Sequence, residues 1–173
     1  MTSDTMDVAA LFREHHLALH RYLVRLTGDE ATAADAVQHA FLRLMESPPD
    51  HMGVRTWLFT VASNFVRDRV RSSRRRRELL SERADRVPVG DPGPDPDRLL
   101  ERREAEARAR AALDTLRPRD RKILLMREEG FTHREIAEAV GTTAGSVGTM
   151  IARALRSARE ALDADAPEPE DGS

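Results

Sequence analysis

Arginine is the residue type in this 173-residue sequence whose number and spacing could do chemistry. Between positions 55 and 77, eight basic residues stand against one acidic residue, a local charge of +7. Between positions 117 and 159, nine stand against five, a local charge of +4. Because like charges at this density repel one another, a polyanion is their natural partner. The two segments therefore predict a nucleic-acid ligand, although the whole chain carries a net charge of −2.

Unlike the arginine-rich segments, no group of residues in the sequence has the spacing of a known catalytic motif. The sequence has no Cys, no phosphate-cradling Gly loop, no Gly-x-Ser-x-Gly elbow and no His-Glu-x-x-His zinc motif. His16 and His20 could share a helical face as metal ligands, but no third ligand accompanies them, and histidines without a metal are the simpler interpretation. We predict no catalytic residue, no metal and no cofactor, and hence not an enzyme.

The N-terminal part of the chain predicts three helices that must position the first basic segment. Apolar residues recur at helical spacing over 8–26, again from about residue 30 until Ser47-Pro48-Pro49, and again over about 55–74. Six of the seven aromatic residues precede position 66. This concentration predicts one helical core over residues 5–80.

A run rich in Pro, Gly and Asp over 87–97 separates this core from the rest of the chain. Such a run suits neither a helix nor a sheet interior, so residues 81–98 are predicted to form a flexible acidic linker. Good helix formers resume at 99–116, and Pro118 begins a further helix that Gly130 ends. The acidic tail, residues 163–173, is predicted to be disordered.

Targeting segments are absent from the sequence pattern. No apolar run approaches the roughly 18 residues that a membrane-spanning helix needs. Polar residues occupy positions 1–7, where a signal peptide would have a basic and then an apolar stretch. These features predict a cytoplasmic protein without membrane insertion.

The second basic segment contains the spacing of a helix-turn-helix. Thr132-His-Arg-Glu135 is a capping box that starts a helix, and Gly141 permits the turn that ends it. Ala137 and Val147 are the small and apolar residues that let the second helix pack on the first. An ordinary helical hairpin would have the same spacing. The basic residues on both sides favour DNA binding over that alternative.

The residues themselves resemble a known family. Asp35-Ala-Val-Gln38-His-Ala-Phe41-Leu42-Arg43 resembles the segment Asp-Leu-Val-Gln-Glu-x-Phe-Leu-Arg of the extracytoplasmic-function (ECF) sigma factors of bacterial RNA polymerase. Trp57-Leu58 with Asn64 and Asp68 resembles a second family segment, and Arg134-Glu135-Ile136-Ala137 resembles the first helix of the family's helix-turn-helix. The order and spacing of these motifs identify the chain as a sigma-70 family member of group IV.

The resemblance implies an all-α fold of two small helical domains joined by a flexible linker, the second a winged-helix-like helix-turn-helix domain over residues 99–162. It implies a promoter-specificity factor that binds core RNA polymerase at the clamp helices and flap, binds promoter DNA, and is held by an anti-sigma factor. The residues that the resemblance assigns to docking on the polymerase are Asp35, Gln38, Phe41, Leu42 and Arg43. Of these, Phe41 is expected in the core. The residues that it assigns to contact with the minus-ten element are Trp57, Asn64, Arg67, Asp68, Arg71, Arg74 and Arg75. The residues that it assigns to contact with the minus-thirty-five element are Arg134, Thr143, Ser146, Thr149, Arg153 and Arg156.

The sequence departs from the family pattern at four places. Gly148 and Met150 stand in the recognition helix where basic residues are common, which leaves base reading to Ser146, Thr149 and Arg153. His39 replaces the usual Glu in the docking segment, and Ser63 replaces the usual Arg near the base pocket. The competing interpretation is a stand-alone helix-turn-helix regulator whose N-terminal domain binds a ligand or dimerises.

Overall fold

The computed structural model describes residues 7–80 and 96–164, except for the side chains of residues 70, 72–80 and 96–102. Over these ranges the chain forms seven α-helices and no β-strand, which confirms the predicted all-α class and leaves the helix-turn-helix without a wing. The helices are α1 (Val8–Thr27), α2 (Glu30–Glu46), α3 (Val54–Leu80), α4 (Pro96–Thr115), α5 (Pro118–Glu128), α6 (His133–Val140) and α7 (Ala144–Ala164). We refer to α1–α3 as the N-terminal domain and to α4–α7 as the C-terminal domain.

Local capping residues fix where the first two helices begin and end. The Asp7 carboxylate accepts a hydrogen bond from the backbone N–H of Ala10 at 2.9 Å and starts α1. Gly28 ends α1 at φ +76°, a left-handed conformation that suits glycine. Asp29 caps α2, and the hydrogen bonds that it receives from the side chain and the backbone N–H of Thr32 hold the pKa of Asp29 below its usual value.

The core of the N-terminal domain is where the hydrophobic pattern predicts it. Leu19, Leu23, Leu44 and Leu58 are fully buried between α1, α2 and α3. The Tyr22 hydroxyl forms a hydrogen bond of 2.9 Å with the Ser63 hydroxyl in this core, and burial raises the pKa of Tyr22 above its usual value. Tight helical packing of this kind makes the domain a rigid support for its surface residues.

The helix-turn-helix forms as the sequence predicts. Thr132 and Glu135 make both hydrogen bonds of the capping box at the start of α6. The Glu135 carboxylate accepts hydrogen bonds from the backbone N–H and from the hydroxyl of Thr132, and these hold the pKa of Glu135 below its usual value. Gly141 ends α6 at φ +65°. Val147 is fully buried and joins the core shared with Ile136 of α6.

Three helices extend beyond their predicted bounds. α3 continues to Leu80 rather than ending near residue 74, because no helix breaker follows the arginine run. α4 begins at Pro96, within the predicted linker 81–98, since proline is tolerated in the first turn of a helix. α7 continues to Ala164, into the predicted tail. Residues 81–95 and 165–173, which hold most of the linker and of the tail, lie outside the described residues.

The two domains pack directly on each other. α3 contacts α6, and α1 contacts α5, so that buried residues from both domains form one hydrophobic cluster. Among the described residues, no helix has the length and apolarity required to cross a membrane.

Candidate nucleic-acid and protein interfaces

An apolar groove of about 430 Å³ lies between α1 and α2. Its wall is almost entirely nonpolar, and it includes Phe12, Leu17, Leu42 and Met45. The side chains at its rim are unusually exposed for apolar residues, with 69% of Leu17, 65% of Met45 and 51% of Leu42 accessible to solvent. Exposed apolar residues gathered in one place indicate a surface that binds another macromolecule.

The residues predicted to dock on polymerase lie on this side of α2. Asp35, Gln38 and Leu42 are exposed and follow one another at spacings of three and four residues, which places them on one face. Gln38 and Leu42 line the groove. Phe41 is buried at its floor, with its ring 4.9 Å from that of Phe12 in an edge-on arrangement, as predicted for a core residue. Arg43 is turned away from this face and forms an ion pair with Glu46 at 2.9 Å.

Two contacts tie the docking segment to the basic helix α3. The Asp35 carboxylate forms an ion pair of 2.5 Å with Arg69. The ring of His39 stacks on Phe65 with the centroids 4.5 Å apart. His39, which stands where the family commonly has Glu, therefore supplies an aromatic contact that joins α2 to α3.

Five of the residues predicted to contact the minus-ten element share one side of α3, on which Trp57 also packs against the core. Arg67, Asp68 and Arg71 are exposed, whereas Trp57 and Asn64 are partly buried. Helical geometry places all five on one face, opposite the buried Leu58, Phe59 and Ala62. The side chains of Arg74 and Arg75, also predicted here, lie outside the described residues. The described part is a surface with one ring and two arginines next to Asn64, which fits a single strand with unstacked bases.

Ser63, which stands where the family commonly has Arg, does not belong to this surface. Its hydroxyl lies in the core, where it donates to the Phe59 carbonyl oxygen at 2.6 Å and meets Tyr22. Serine at this position satisfies a buried tyrosine, and the exposed face keeps its arginines at 67 and 71.

Four of the residues predicted to contact the minus-thirty-five element form one exposed face of α7. Ser146, Thr149, Arg153 and Arg156 are all exposed and lie opposite the buried Val147 and Ala154. Two other residues predicted to contact the minus-thirty-five element are also exposed, Thr143 and Arg134. A helix with such a face is of the size and chemistry that enter the major groove of duplex DNA.

Several residues around this face already have partners within the chain. Arg153 forms an ion pair of 3.3 Å with Asp120 of α5, and Arg134 forms one of 3.3 Å with Glu138. Met150 is partly buried against the hydrophobic core and does not share the exposed face. A side-chain carbon placed at Gly148 would lie 3.6 Å from the His133 ring, which is an ordinary contact.

Lys122 of α5 is partly buried within the C-terminal domain. Its ammonium group donates a hydrogen bond of 2.9 Å to the Ala139 carbonyl oxygen. Burial first, and the charge of Arg67 second, lower the pKa of Lys122 from 10.5 to about 8.

This lysine should make folding stability depend on pH. Its pKa is lower in the folded chain than in the unfolded chain, so unfolding takes up a proton, and stability rises with pH between the two values. We expect the free energy of unfolding to increase by about 2 kcal/mol between about pH 7.5 and about pH 9.5. The measurement is urea unfolding followed by the fluorescence of the single tryptophan, with Lys122→Met as the control variant. A slope in Lys122→Met equal to that of the parent chain would assign the effect to another group.

Sequence reasoning missed the residues that join the domains. Arg21, Arg25 and Arg55 of the N-terminal domain contact Glu128 and Glu129, while Phe131 inserts its ring against Phe59. One signal was available, because Phe131 is the single aromatic residue beyond position 65. In the structure this ring is fully buried and packs on Phe59 of the N-terminal domain.

Both domains match family descriptions in the order found here. Residues 11–76 match Sigma-70 region 2, and residues 106–157 match Sigma-70, region 4. SigL of Mycobacterium tuberculosis, an ECF RNA polymerase sigma factor, is 33% identical over 168 residues, an alignment that covers 88% of this chain and 87% of SigL. SigE of Mycolicibacterium smegmatis is 32% identical over 156 residues, with 88% of this chain but only 60% of SigE covered.

Solved structures show the same fold. The sigma factor RpoE of Bartonella quintana, in complex with the anti-sigma factor NepR, matches with a TM-score of 0.72 at 19% identity over 92% of this chain and 99% of that one. CnrH, in complex with the cytosolic domain of CnrY, matches with a TM-score of 0.66 at 22% identity over 95% of this chain. With its two matched regions and its similarity to SigL over most of both chains, this chain belongs to the ECF RNA polymerase sigma factors.

Proposed function

We propose that this chain binds core RNA polymerase through the face of α2 that borders the α1–α2 groove, and directs transcription initiation at specific promoters. The observation that carries the proposal is the groove itself. Leu17, Leu42 and Met45 expose apolar surface beside the polar Gln38 and Asp35. A patch with an apolar centre and a polar rim is the composition of a protein–protein interface.

In this proposal the two basic surfaces bind different forms of DNA. The α3 face with Trp57, Asn64 and Arg67 binds the melted strand of the minus-ten element, because rings and arginines suit unstacked bases. The exposed face of α7 with Ser146, Thr149 and Arg153 binds the minus-thirty-five element as duplex. Opening of the ion pair between Arg153 and Asp120 would free that guanidinium for a phosphate.

An anti-sigma factor is proposed as a further partner. The RpoE structure that this chain resembles was solved with the anti-sigma factor NepR, and the CnrH structure with the cytosolic domain of CnrY. The same exposed apolar groove supports the proposal, because a sequestering protein that covered Leu17, Leu42 and Met45 would keep core polymerase off the chain.

Run-off transcription with purified core polymerase and a genomic promoter library tests the proposal. We expect transcripts that core polymerase alone does not make, starting at sites with shared minus-ten and minus-thirty-five sequences. The stand-alone regulator would behave otherwise, since it would bind palindromic duplex as a dimer without polymerase. A chain that binds such duplex by itself and adds no transcript to core polymerase would disprove the proposed function.

A further inference from the structure

The C-terminal end of α6 is held by two basic residues of α5. The Lys122 ammonium group donates a hydrogen bond of 2.9 Å to the Ala139 carbonyl oxygen, and the Arg119 guanidinium donates one of 3.2 Å to the Val140 carbonyl oxygen. The last carbonyl oxygens of a helix have no partner within it, and they carry its partial negative charge. Since α6 has no basic residue in its own last turn, α5 supplies the two cations that stabilise this helix end.

The beginning of α6 is held in the same way. Arg127, near the end of α5, donates a hydrogen bond of 3.2 Å to the carbonyl oxygen of Phe131, which immediately precedes the capping residue Thr132. Charged donors form stronger hydrogen bonds to an oxygen than neutral donors do. Three basic residues of the segment 117–159 therefore have main-chain partners within the C-terminal domain, and they fix both ends of α6 to α5.

Lys122 makes the contact that is hardest to replace. Ala139 is buried, with 7% of its surface exposed, and Lys122 itself is partly buried. A carbonyl oxygen that loses its donor in such a place has little access to water, so leaving it unpaired is costly. Arg119, in contrast, is exposed, and water can take its place at the Val140 carbonyl oxygen.

The helix end that these residues hold leads directly into the recognition helix. Gly141 ends α6 at φ +65°, and α7 begins at Ala144, so that only residues 141–143 separate the two helices. Because the turn is this short, the direction of α7 depends on where α6 ends. The direction of α7 in turn determines where Ser146 and Thr149 of its exposed face lie.

The first two turns of α7 have little stiffness of their own. Gly145 and Gly148 lie in them, and glycine is less favourable than alanine in a helix because it loses more backbone freedom on folding. A side-chain carbon placed at Gly145 would meet no atom of the described residues within 4 Å. The beginning of α7 is therefore supported by the buried Val147 and by the turn that precedes the helix.

We infer that the three basic residues of α5 are positioning residues for promoter recognition, and that Lys122 is the most important of them. They fix α6 and thereby the direction of α7, so that Ser146 and Thr149 meet the bases of the minus-thirty-five element. The inference rests on the proposed function of the α7 face. A positioning residue of this kind affects how well one promoter sequence is distinguished from another, whereas a phosphate contact strengthens binding to all sequences alike.

Two promoter fragments separate these roles. The first carries both elements of a promoter that the run-off experiment identifies, and the second has the same sequence with the minus-thirty-five element scrambled. Holoenzyme is assembled with Lys122→Met, which has a side chain of similar length without a charged donor. We expect its affinity for the first fragment to fall about tenfold, the effect of about one mismatched base pair. Its affinity for the second fragment should equal that of the parent.

Two further variants serve as controls. Lys122→Arg keeps a charged donor within reach of the Ala139 carbonyl oxygen and should restore most of the lost affinity. Arg156→Gln removes an exposed arginine of α7 that is suited to a phosphate contact. It should weaken binding to both fragments equally and reduce the slope of log affinity against log salt by about 0.9.

A second site gives an independent measurement, since Lys122→Met also removes a partly buried hydrogen bond and lowers stability. Arg119→Gln changes an exposed residue, so the free energy of unfolding should stay within about 0.5 kcal/mol of the parent value. We expect this variant to weaken binding to the first fragment alone, about threefold, the effect of one ordinary hydrogen bond.

Three results would count against the inference in different ways. Equal weakening of both fragments by Lys122→Met, with a reduced salt slope, would make Lys122 a phosphate contact and overturn its positioning role. If neither Lys122→Met nor Arg119→Gln changed the ratio of the two affinities, the basic residues of α5 would have no part in promoter recognition. A parent holoenzyme that bound both fragments equally would disprove the proposed function of the α7 face, and the inference with it.

Discussion

Two leucines of α2, two positions apart, should give opposite results when each is replaced by alanine. Leu42→Ala should weaken binding to core polymerase about tenfold, the effect of losing one apolar contact worth roughly 1.4 kcal/mol at the centre of an interface. The stability of the chain should stay within about 0.5 kcal/mol of the parent, because the Leu42 side chain is half exposed.

Leu44→Ala should do the reverse. Leu44 is fully buried between α2 and its neighbours, so its truncation removes buried methyl groups and leaves a cavity, at a cost of about 2–5 kcal/mol of folding free energy. Affinity for core polymerase should be unchanged under conditions in which the variant remains folded, since no part of the Leu44 side chain is exposed to a partner.

The pair separates docking from folding in one helix with one chemical change. Urea unfolding followed by Trp57 fluorescence measures stability, and fluorescence anisotropy of a labelled chain titrated with core polymerase measures affinity. If Leu42→Ala lost stability and kept its affinity, the α1–α2 groove would not be the docking surface.

Neutralising two arginines of α3 should produce the largest effect on DNA binding. Arg67 and Arg71 are exposed on the face proposed for the minus-ten element. Each charged hydrogen bond to a phosphate contributes about 1.5–3 kcal/mol. The double variant Arg67→Gln with Arg71→Gln should therefore bind single-stranded minus-ten DNA, as the holoenzyme, about 100-fold less tightly or worse.

Salt dependence distinguishes a phosphate contact from a structural effect. Loss of two contacts to a single strand should reduce the slope of log affinity against log salt by about 1.4. Arg108→Gln, an exposed arginine of α4 outside every proposed surface, should leave both affinity and slope unchanged. A double variant that bound less tightly with the parent's slope would show that the two arginines act through the fold.

Much of the fold follows from local rules, which is why it could be predicted from the sequence. The capping box at Thr132 and the glycine at 141 act over three or four residues, and both form as predicted. Apolar periodicity likewise placed Leu19, Leu44 and Val147 in the cores. Helix ends were less accurate at 74 and 99, because good helix formers and a tolerated N-terminal proline allow a helix to extend past the last periodic residue.

The binding surfaces could be predicted only in part. Asp35, Gln38 and Leu42 share a face by spacing alone, and so do Ser146, Thr149 and Arg153. The groove beside Leu42 could not be predicted, because it also needs Phe12 and Leu17 from another helix. Nor does the sequence indicate that Ser63 points at Tyr22, since the direction of a side chain on α3 depends on what packs against it.

The sequence by itself determined that this chain has two helical parts, two basic segments and the motifs of a sigma factor, because charge, capping and periodicity are properties of neighbouring residues. Only the tertiary structure decided how the parts face each other. Arg25 and Glu128 are 103 residues apart in the chain, and Phe59 and Phe131 are 72 apart, yet each pair is in contact. Contacts over such separations depend on the shape and charge of two assembled surfaces, which no local pattern encodes.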